Sequence, residues 1–240
     1  MMKKATTIRL DSYLSGQGYA SRRKIEEFLK ENKVMINGQP GREPGFRINP
    51  LRDKILINGQ PVYKPQLEYY ILNKPKNVIS TSLDEHSRRT VVSMVPSKER
   101  LFPVGRLDAE SSGLILLTND GDLANKLTHP KYHIPKTYEV LILGGIPETK
   151  LQKLRTGVRL RDGMTAPADV IIIKHIGDKT FLKITLYEGR NRQIRRMCGL
   201  LGLDLIDLKR ISIGPIELGN LRPGQSRKLT KQEVDELKKV

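Results

Sequence analysis

Two groups of residues in this 240-residue chain have the types and spacing to do chemistry. The first centres on Asp108 in GRLDAESSGLILLTNDG (105–121), set between a Gly-Arg turn and an apolar run that breaks at Asn-Asp-Gly. A loop carried by a rigid strand can hold such a side chain out into a cleft. The second is the basic run in LYEGRNRQIRRMCGLLG (186–202). Wound as a helix at about 100° per residue, positions 191–201 put Ile194, Met197, Cys198 and Leu201 on one face. Arg192, Arg195 and Arg196 gather on the opposite side, with Arg195 nearest the apolar boundary. A partly buried guanidinium needs an anionic partner, and Asp108 is a candidate. An arginine beside a carboxylate favours its charged form, which suits a nucleophile or a stabiliser of positive charge. Spacing alone leaves two plainer readings open: a solvated basic helix face and an ordinary turn aspartate. Glu110 raises a further idea, an acid/base carboxylate pair with Asp108. An extended segment would set the two carboxyls roughly 6–7 Å apart, between the usual glycoside hydrolase classes, which argues against it.

The charge of the whole chain narrows the partners. Lys and Arg number 43 against 26 Asp and Glu, for a formal charge of +17 and a pI near 10.0, and nucleic acid is the first polyanion to consider. No apolar stretch reaches membrane-spanning length, and MMKKATTIRLD has lysines with no apolar segment behind them. The expectation is a cytoplasmic protein with no membrane partner. A single cysteine, Cys198, excludes an intrachain disulfide and a multi-cysteine zinc site. His129 and His133 have the spacing of ligands on a helix, but Pro130 and Pro135 interrupt such a helix, so no metal site is expected. No phosphate-loop or dinucleotide fingerprint is present, and no cofactor is expected.

The elements that must position these residues fall into two parts, 1–64 and 65–240, with the proline-bearing stretch 63–68 as linker. In the first part, Leu10, Tyr13 and Leu14 share a helical face, and Ser21 offers a cap for a second helix with Ile25, Phe28 and Leu29 inward. Arg22, Arg23 and Lys24 then fall in that helix's first turn, a place suited to phosphate. Two runs, VMINGQP and KILINGQPV, read as strands entering Asn-Gly turns. This part carries 13 basic and 6 acidic residues, so charge is densest at the front. The larger part mixes strand-like runs (YYILNKP, SGLILLTND, KTYEVLIL, ADVIIIKHI, TFLKITLYEG) with helical ones (GDLANKLTH, TKLQKLRTG). Without a regular βαβ period, this predicts an α+β domain on a mixed, largely antiparallel sheet.

Residues 8–39, IRLDSYLSGQGYASRRKIEEFLKENKVMINGQ, resemble the S4 RNA-binding domain, a helical pair and small strand region with a basic face for structured RNA. Behind them, NKPKNVIST, FPVGRLDAESSGLILLTNDGDLANKLTHP, KTYEVLI and LYEGRNRQIRRM are similar, in order, to the motifs of the RsuA/RluB branch of RNA pseudouridine synthases. The likeness runs over residues 69–230 and closes with LKRISIGPIELGNLRPGQSRKLT. An S4 domain in front is that branch's usual layout.

The resemblance implies an isomerase that breaks the N1–C1′ bond of a uridine, turns the uracil, reattaches it through C5 and releases the C5 proton, with no metal or organic cofactor. Extruding the base costs a few kcal/mol, which phosphate contacts offset. It implies Asp108 as the catalytic carboxylate, either nucleophile or base on a glycal route. Tyr138 of KTY would stack on the target base, Arg195 would pair with Asp108, and Arg106 would hold the RNA with the uridine flipped out. Arg22, Arg23, Lys24, Arg192 and Arg196 are expected to contact RNA as well. The expected partner is ribosomal RNA, met by a monomer, with a uridine of the large-subunit (23S) RNA as substrate. The alternatives are a 16S rRNA enzyme and a non-catalytic S4-containing ribosome-assembly factor.

Overall fold

The computed structural model describes residues 7–21, 23–41, 43–63, 65–82, 84 and 88–240. The chain forms two compact units, one running through Leu67 and including Lys98–Arg100, the other comprising Glu68–Ser97 and Leu101–Val240.

Apolar residues four apart build the helical pair of the first unit. Its elements are β1 (Ile8–Arg9), α1 (Leu10–Gly16), α2 (Ile25–Glu31), β2 (Val34–Ile36), β3 (Gln39–Pro40), β4 (Arg47–Ile48), β5 (Ile55–Ile57) and β6 (Gln60–Pro61). Leu10 and Leu14 of α1 meet Ile25 and Leu29 of α2 in one buried cluster with Val34, Ile36, Ile55 and Ile57. β2 and β5 pair antiparallel at the centre of a sheet ordered β3-β2-β5-β6. Both Asn-Gly pairs take the positive backbone angles that a tight hairpin requires: Asn37 φ 51° and Gly38 φ 82°, Asn58 φ 51° and Gly59 φ 83°.

The start of α2 differs from expectation. Ser21 does not cap it; its carbonyl instead accepts the Lys24 N–H (2.9 Å) in a turn, and the helix begins at Ile25. The first turn therefore carries Glu26 and Glu27, the sign of charge that the helix dipole favours there. Arg23 and Lys24 lie just ahead of the helix, and Arg22 lies outside the described residues.

The second unit comprises β7 (Tyr69–Lys74), β8 (Phe102–Val104), β9 (Ser112–Thr118), α3 (Gly121–Thr128), β10 (Lys136–Leu143), α4 (Glu148–Thr156), β11 (Arg159–Leu160), β12 (Gly163–Met164), β13 (Asp169–Ile176), β14 (Lys179–Leu186), α5 (Gln193–Leu200), β15 (Asp204–Ile213), β16 (Ile216–Glu217), β17 (Ser226–Lys228) and α6 (Lys231–Lys239). Among the described residues its main sheet runs β13-β14-β10-β15-β9-β7-β17, with β16 on β15 and β8 on β9. All its pairings are antiparallel except β15 with β9. This is the α+β, mostly antiparallel architecture read from the sequence.

Burial follows the patterning of the runs. β7 and β9 are covered on both faces, so their sequences are almost continuously apolar. Ile71, Leu114 and Leu116 pack on one side with Leu123 and Leu127 of α3 and Leu237 of α6. Tyr70, Leu72, Ile115 and Leu117 pack on the other with Val91 and Leu107. β10 and β14 alternate, because only one face is covered: Val140, Ile142, Leu182 and Ile184 meet Leu151 and Leu154 of α4 and Ile194, Met197 and Cys198 of α5.

The single parallel step is the tightest point of the sheet. Gly113 pairs with Arg210 at φ 103°, and a Cβ there would stand 2.2 Å from the Arg210 carbonyl oxygen. Only glycine fits both the angle and the approach.

Candidate active site

Asp108 sits in the turn between β8 and β9, as the Gly-Arg context predicted, and the backbone around it is fixed from several directions. The buried Ser80 hydroxyl donates to the Leu107 carbonyl (2.8 Å) and accepts the Leu107 N–H (3.0 Å). On the far side, the Ala109 carbonyl accepts the Asn77 N–H (2.8 Å) and the Lys74 ammonium (3.3 Å). The Ser111 N–H closes the turn onto the Asp108 carbonyl (3.1 Å). Asp108 is thus displayed by a loop with little freedom.

The arginines of α5 come to meet it. Arg195 places Nε 3.9 Å from Asp108 and Nη1 3.3 Å from Glu110, and donates to the Ser111 hydroxyl (3.1 Å). Arg192, a left-handed residue at the helix start, reaches the same two carboxylates at 3.9 and 3.2 Å. The buried Arg195 Nε has no hydrogen-bond partner among the described residues. Of the three arginines Arg195 has the least exposed side chain, at 17% against 43% for Arg192 and 31% for Arg196, as its place at the apolar boundary predicted. Both arginines bridge Asp108 to the largely exposed Glu110, an arrangement that gives Glu110 cationic neighbours rather than a hydrolase-like partnership.

Asp108 opens onto a cleft of about 300 Å³ whose walls include Arg106, Lys136, Tyr138, Arg192 and Arg210. Tyr138 is half-buried on β10 and packs against two of the apolar clusters. Arg106 is exposed at the rim. Arg196 is turned elsewhere: its guanidinium grips Asp162 at 2.8 and 3.1 Å, tying α5 to the β11–β12 hairpin. Arg23 and Lys24 belong to the other unit.

Three cations of the site escaped the sequence reading. Lys74, at the end of β7, is fully buried; burial holds its pKa down at about 8, against the pull of the Asp108 charge, and Arg210 adds to the depression. Lys136, two residues before Tyr138, is also lowered to about 8, by burial and then by Arg210. Arg210 is buried in β15 with Nε on the Leu114 carbonyl (2.7 Å), and its Nη2 has no partner among the described residues. A lysine closing a run as apolar as YYIL was a usable signal for Lys74. No group of three or more His, Cys, Asp or Glu is placed to hold a metal among the described residues.

The arrangement is an anchored carboxylate, flanked by guanidiniums, at one end of a cation-lined slot with an aromatic wall. Residues 68–199 match the family model described as RNA pseudouridylate synthase, and residues 8–50 match the S4 domain. The chain belongs to the RNA pseudouridine synthase family. It is 42% identical to ribosomal large subunit pseudouridine synthase B of Bacillus subtilis, over 96% of this chain and 95% of that protein. An uncharacterised RNA pseudouridine synthase of Aquifex aeolicus is 40% identical over 97% of this chain and 94% of its own length. A solved pseudouridylate synthase superposes with a TM-score of 0.70 at 29% identity, covering 96% of this chain and 99% of that one. As a pseudouridine synthase the chain is an intramolecular isomerase with an RNA-binding S4 domain. Among its described residues no helix is long and apolar enough to cross a membrane.

Proposed function

We propose that this pseudouridine synthase isomerises a uridine of large-subunit (23S) ribosomal RNA, with Asp108 as the catalytic carboxylate. The observation that carries the role of Asp108 is its place: on a pinned loop, facing a slot walled by Tyr138, with Arg192 and Arg195 at its flank. The full-length similarity to the large-subunit enzyme of Bacillus subtilis supports the choice of RNA.

Each residue has a task in this reading. The flipped uridine enters the slot and stacks on Tyr138. Breaking the C1′–N1 bond builds positive character at C1′, which Asp108 meets as nucleophile or by taking a sugar proton. Arg195 and Arg192 hold the carboxylate in position, and Arg106 at the rim takes an RNA phosphate near the extruded nucleotide. The free base turns and is rejoined through C5, the C5 proton leaves to solvent, and N1 takes up a proton in its place. Arg23 and Lys24, with Arg22, contribute phosphate contacts from the S4 domain.

Tritium release from C5-labelled uridine in unmodified large-subunit rRNA, and separately in small-subunit rRNA, tests the reading. Wild-type protein is expected to release tritium from the large-subunit RNA, and Asp108→Asn to release none while binding the RNA as tightly. Release from the small-subunit RNA alone would overturn the choice of substrate. Full activity of Asp108→Asn would overturn its catalytic role.

A further inference from the structure

The cleft holds more positive charge than the carboxylate chemistry uses. Lys136 and Arg210 both line it, and among the described residues neither makes an ion pair. Arg210 is 4% exposed with Nη2 unbonded. A buried guanidinium beside a half-buried ammonium, with an ion pair to neither among the described residues, is costly. Such a pair is kept where a ligand brings the missing negative charge.

We infer that Lys136 and Arg210 form a subsite for a carbonyl oxygen of the detached uracil, holding the negative charge the base acquires when it leaves the sugar. This rests on the synthase reading above. Position within the sheet favours the base over a phosphate as the occupant. Lys136 and Tyr138 are two apart on β10 and share its cleft-facing side, and Arg210 is the register partner of Tyr138 on β15. A base stacked on Tyr138 therefore presents its edge to these two cations. The depressed pKa of Lys136, about 8, reflects the same burial and the same neighbour.

The chemistry balances without a proton passing through the subsite. The electron pair of the C1′–N1 bond stays with the uracil and spreads over N1, O2 and O4, while Asp108 meets the deficit at the sugar. Lys136 and Arg210 keep their protons and donate hydrogen bonds to the charged oxygen. C5 then returns an electron pair to C1′, the charge on the oxygen disappears, and the C5 proton leaves to water while N1 takes up a proton from water. Donors aimed at charge that develops during reaction act mainly on rate, and one such donor is worth about 10²–10³-fold.

The test compares wild type, Lys136→Met, Lys136→Arg and Asp108→Asn in single-turnover tritium release on the rRNA that the wild type modifies, with RNA affinity and its salt dependence measured in parallel. Lys136→Met is expected to lose about 100-fold or more in rate at unchanged affinity and salt slope, and Lys136→Arg to recover most of that loss. A Lys136→Met protein with wild-type rate would overturn the subsite. So would weakened binding with the salt slope reduced by about one and the saturated rate unchanged, which would assign Lys136 to a phosphate. In either case an inactive Asp108→Asn leaves the synthase reading standing. A wild type that releases tritium from neither rRNA would overturn both. Lys136→Gln is the second neutral variant, used should the methionine side chain disturb folding.

Discussion

Ser80 shows how much of the rigidity of the Asp108 loop can rest on one hydroxyl. It satisfies the N–H and the C=O of Leu107 together, and Leu107 is itself buried, so the residue before Asp108 has a single backbone orientation. Ser80→Ala leaves both groups buried and unpaired, at a cost of about 1–3 kcal/mol. The larger effect is expected on chemistry, because a displacement of an ångström in a reacting group is enough to slow it greatly. The single-turnover rate of Ser80→Ala should fall by about 10-fold or more, with RNA affinity unchanged. Equal falls in rate and affinity would mean that Ser80 only supports the fold. Residues of this kind are hard to see in a sequence: NKPKNVIST displays a serine in a loop, and its partner lies 27 positions away. Asp108, Tyr138, Arg192 and Arg195, which the structure brings together, sit in short motifs that single them out, whereas Arg196 of the same motif turns to Asp162. Lys74, Ser80 and Arg210 act through contacts between distant segments.

At the scale of elements, patterning predicted what a one-dimensional period can encode. The run Leu114–Leu117 reads as a strand and the two INGQP repeats as strands entering Asn-Gly turns; both are present, and the strand is covered on both faces. Two elements went unread although their signals exist. α6 opens with a capping box, Thr230 and Glu233 bonding each other's backbone N–H, spelled TKQE in the sequence. β15 is the longest strand, but DLIDLKRISI sets charges inside an apolar alternation, because Arg210 faces the cleft rather than the core. Its pairing with β9 is where the two halves of the sheet join, and Gly113 makes that pairing possible. Gly113→Ala forces a Cβ to within 2.2 Å of the Arg210 carbonyl oxygen, in a backbone region that alanine avoids. The displaced atom is backbone on both sides, so relaxation must open the sheet. Urea denaturation should show a loss on the order of 3 kcal/mol or more, and the survivor should have low activity because Arg210 moves with the strand. A loss under about 1 kcal/mol would mean that the β9–β15 junction is looser than its geometry indicates.

The molecule as a whole carries a charge of +17, and its S4 part is the more densely basic. Only a few of those charges can sit at the reacting uridine; the rest act on the RNA backbone at longer range. Each phosphate contact releases a counterion, so binding should weaken steeply with salt, by a logarithmic slope of about 0.7–0.9 per contact. Arg23 and Lys24 test where those contacts lie. Neither makes an ion pair among the described residues, and both are exposed in the turn ahead of α2, where their heads are free for a partner. Arg23→Gln and Lys24→Gln together should reduce the salt slope by about 1.5, weaken RNA binding across all substrates, and leave the rate at saturating RNA untouched. Fluorescence titration at four salt concentrations, with single-turnover rates at saturation, measures both quantities. An unchanged slope would show that the S4 domain holds RNA by another face. A fall in the saturated rate would show that anchoring and base extrusion are coupled, because contacts distant from the uridine would then be contributing to its flipping rather than only to residence on the RNA.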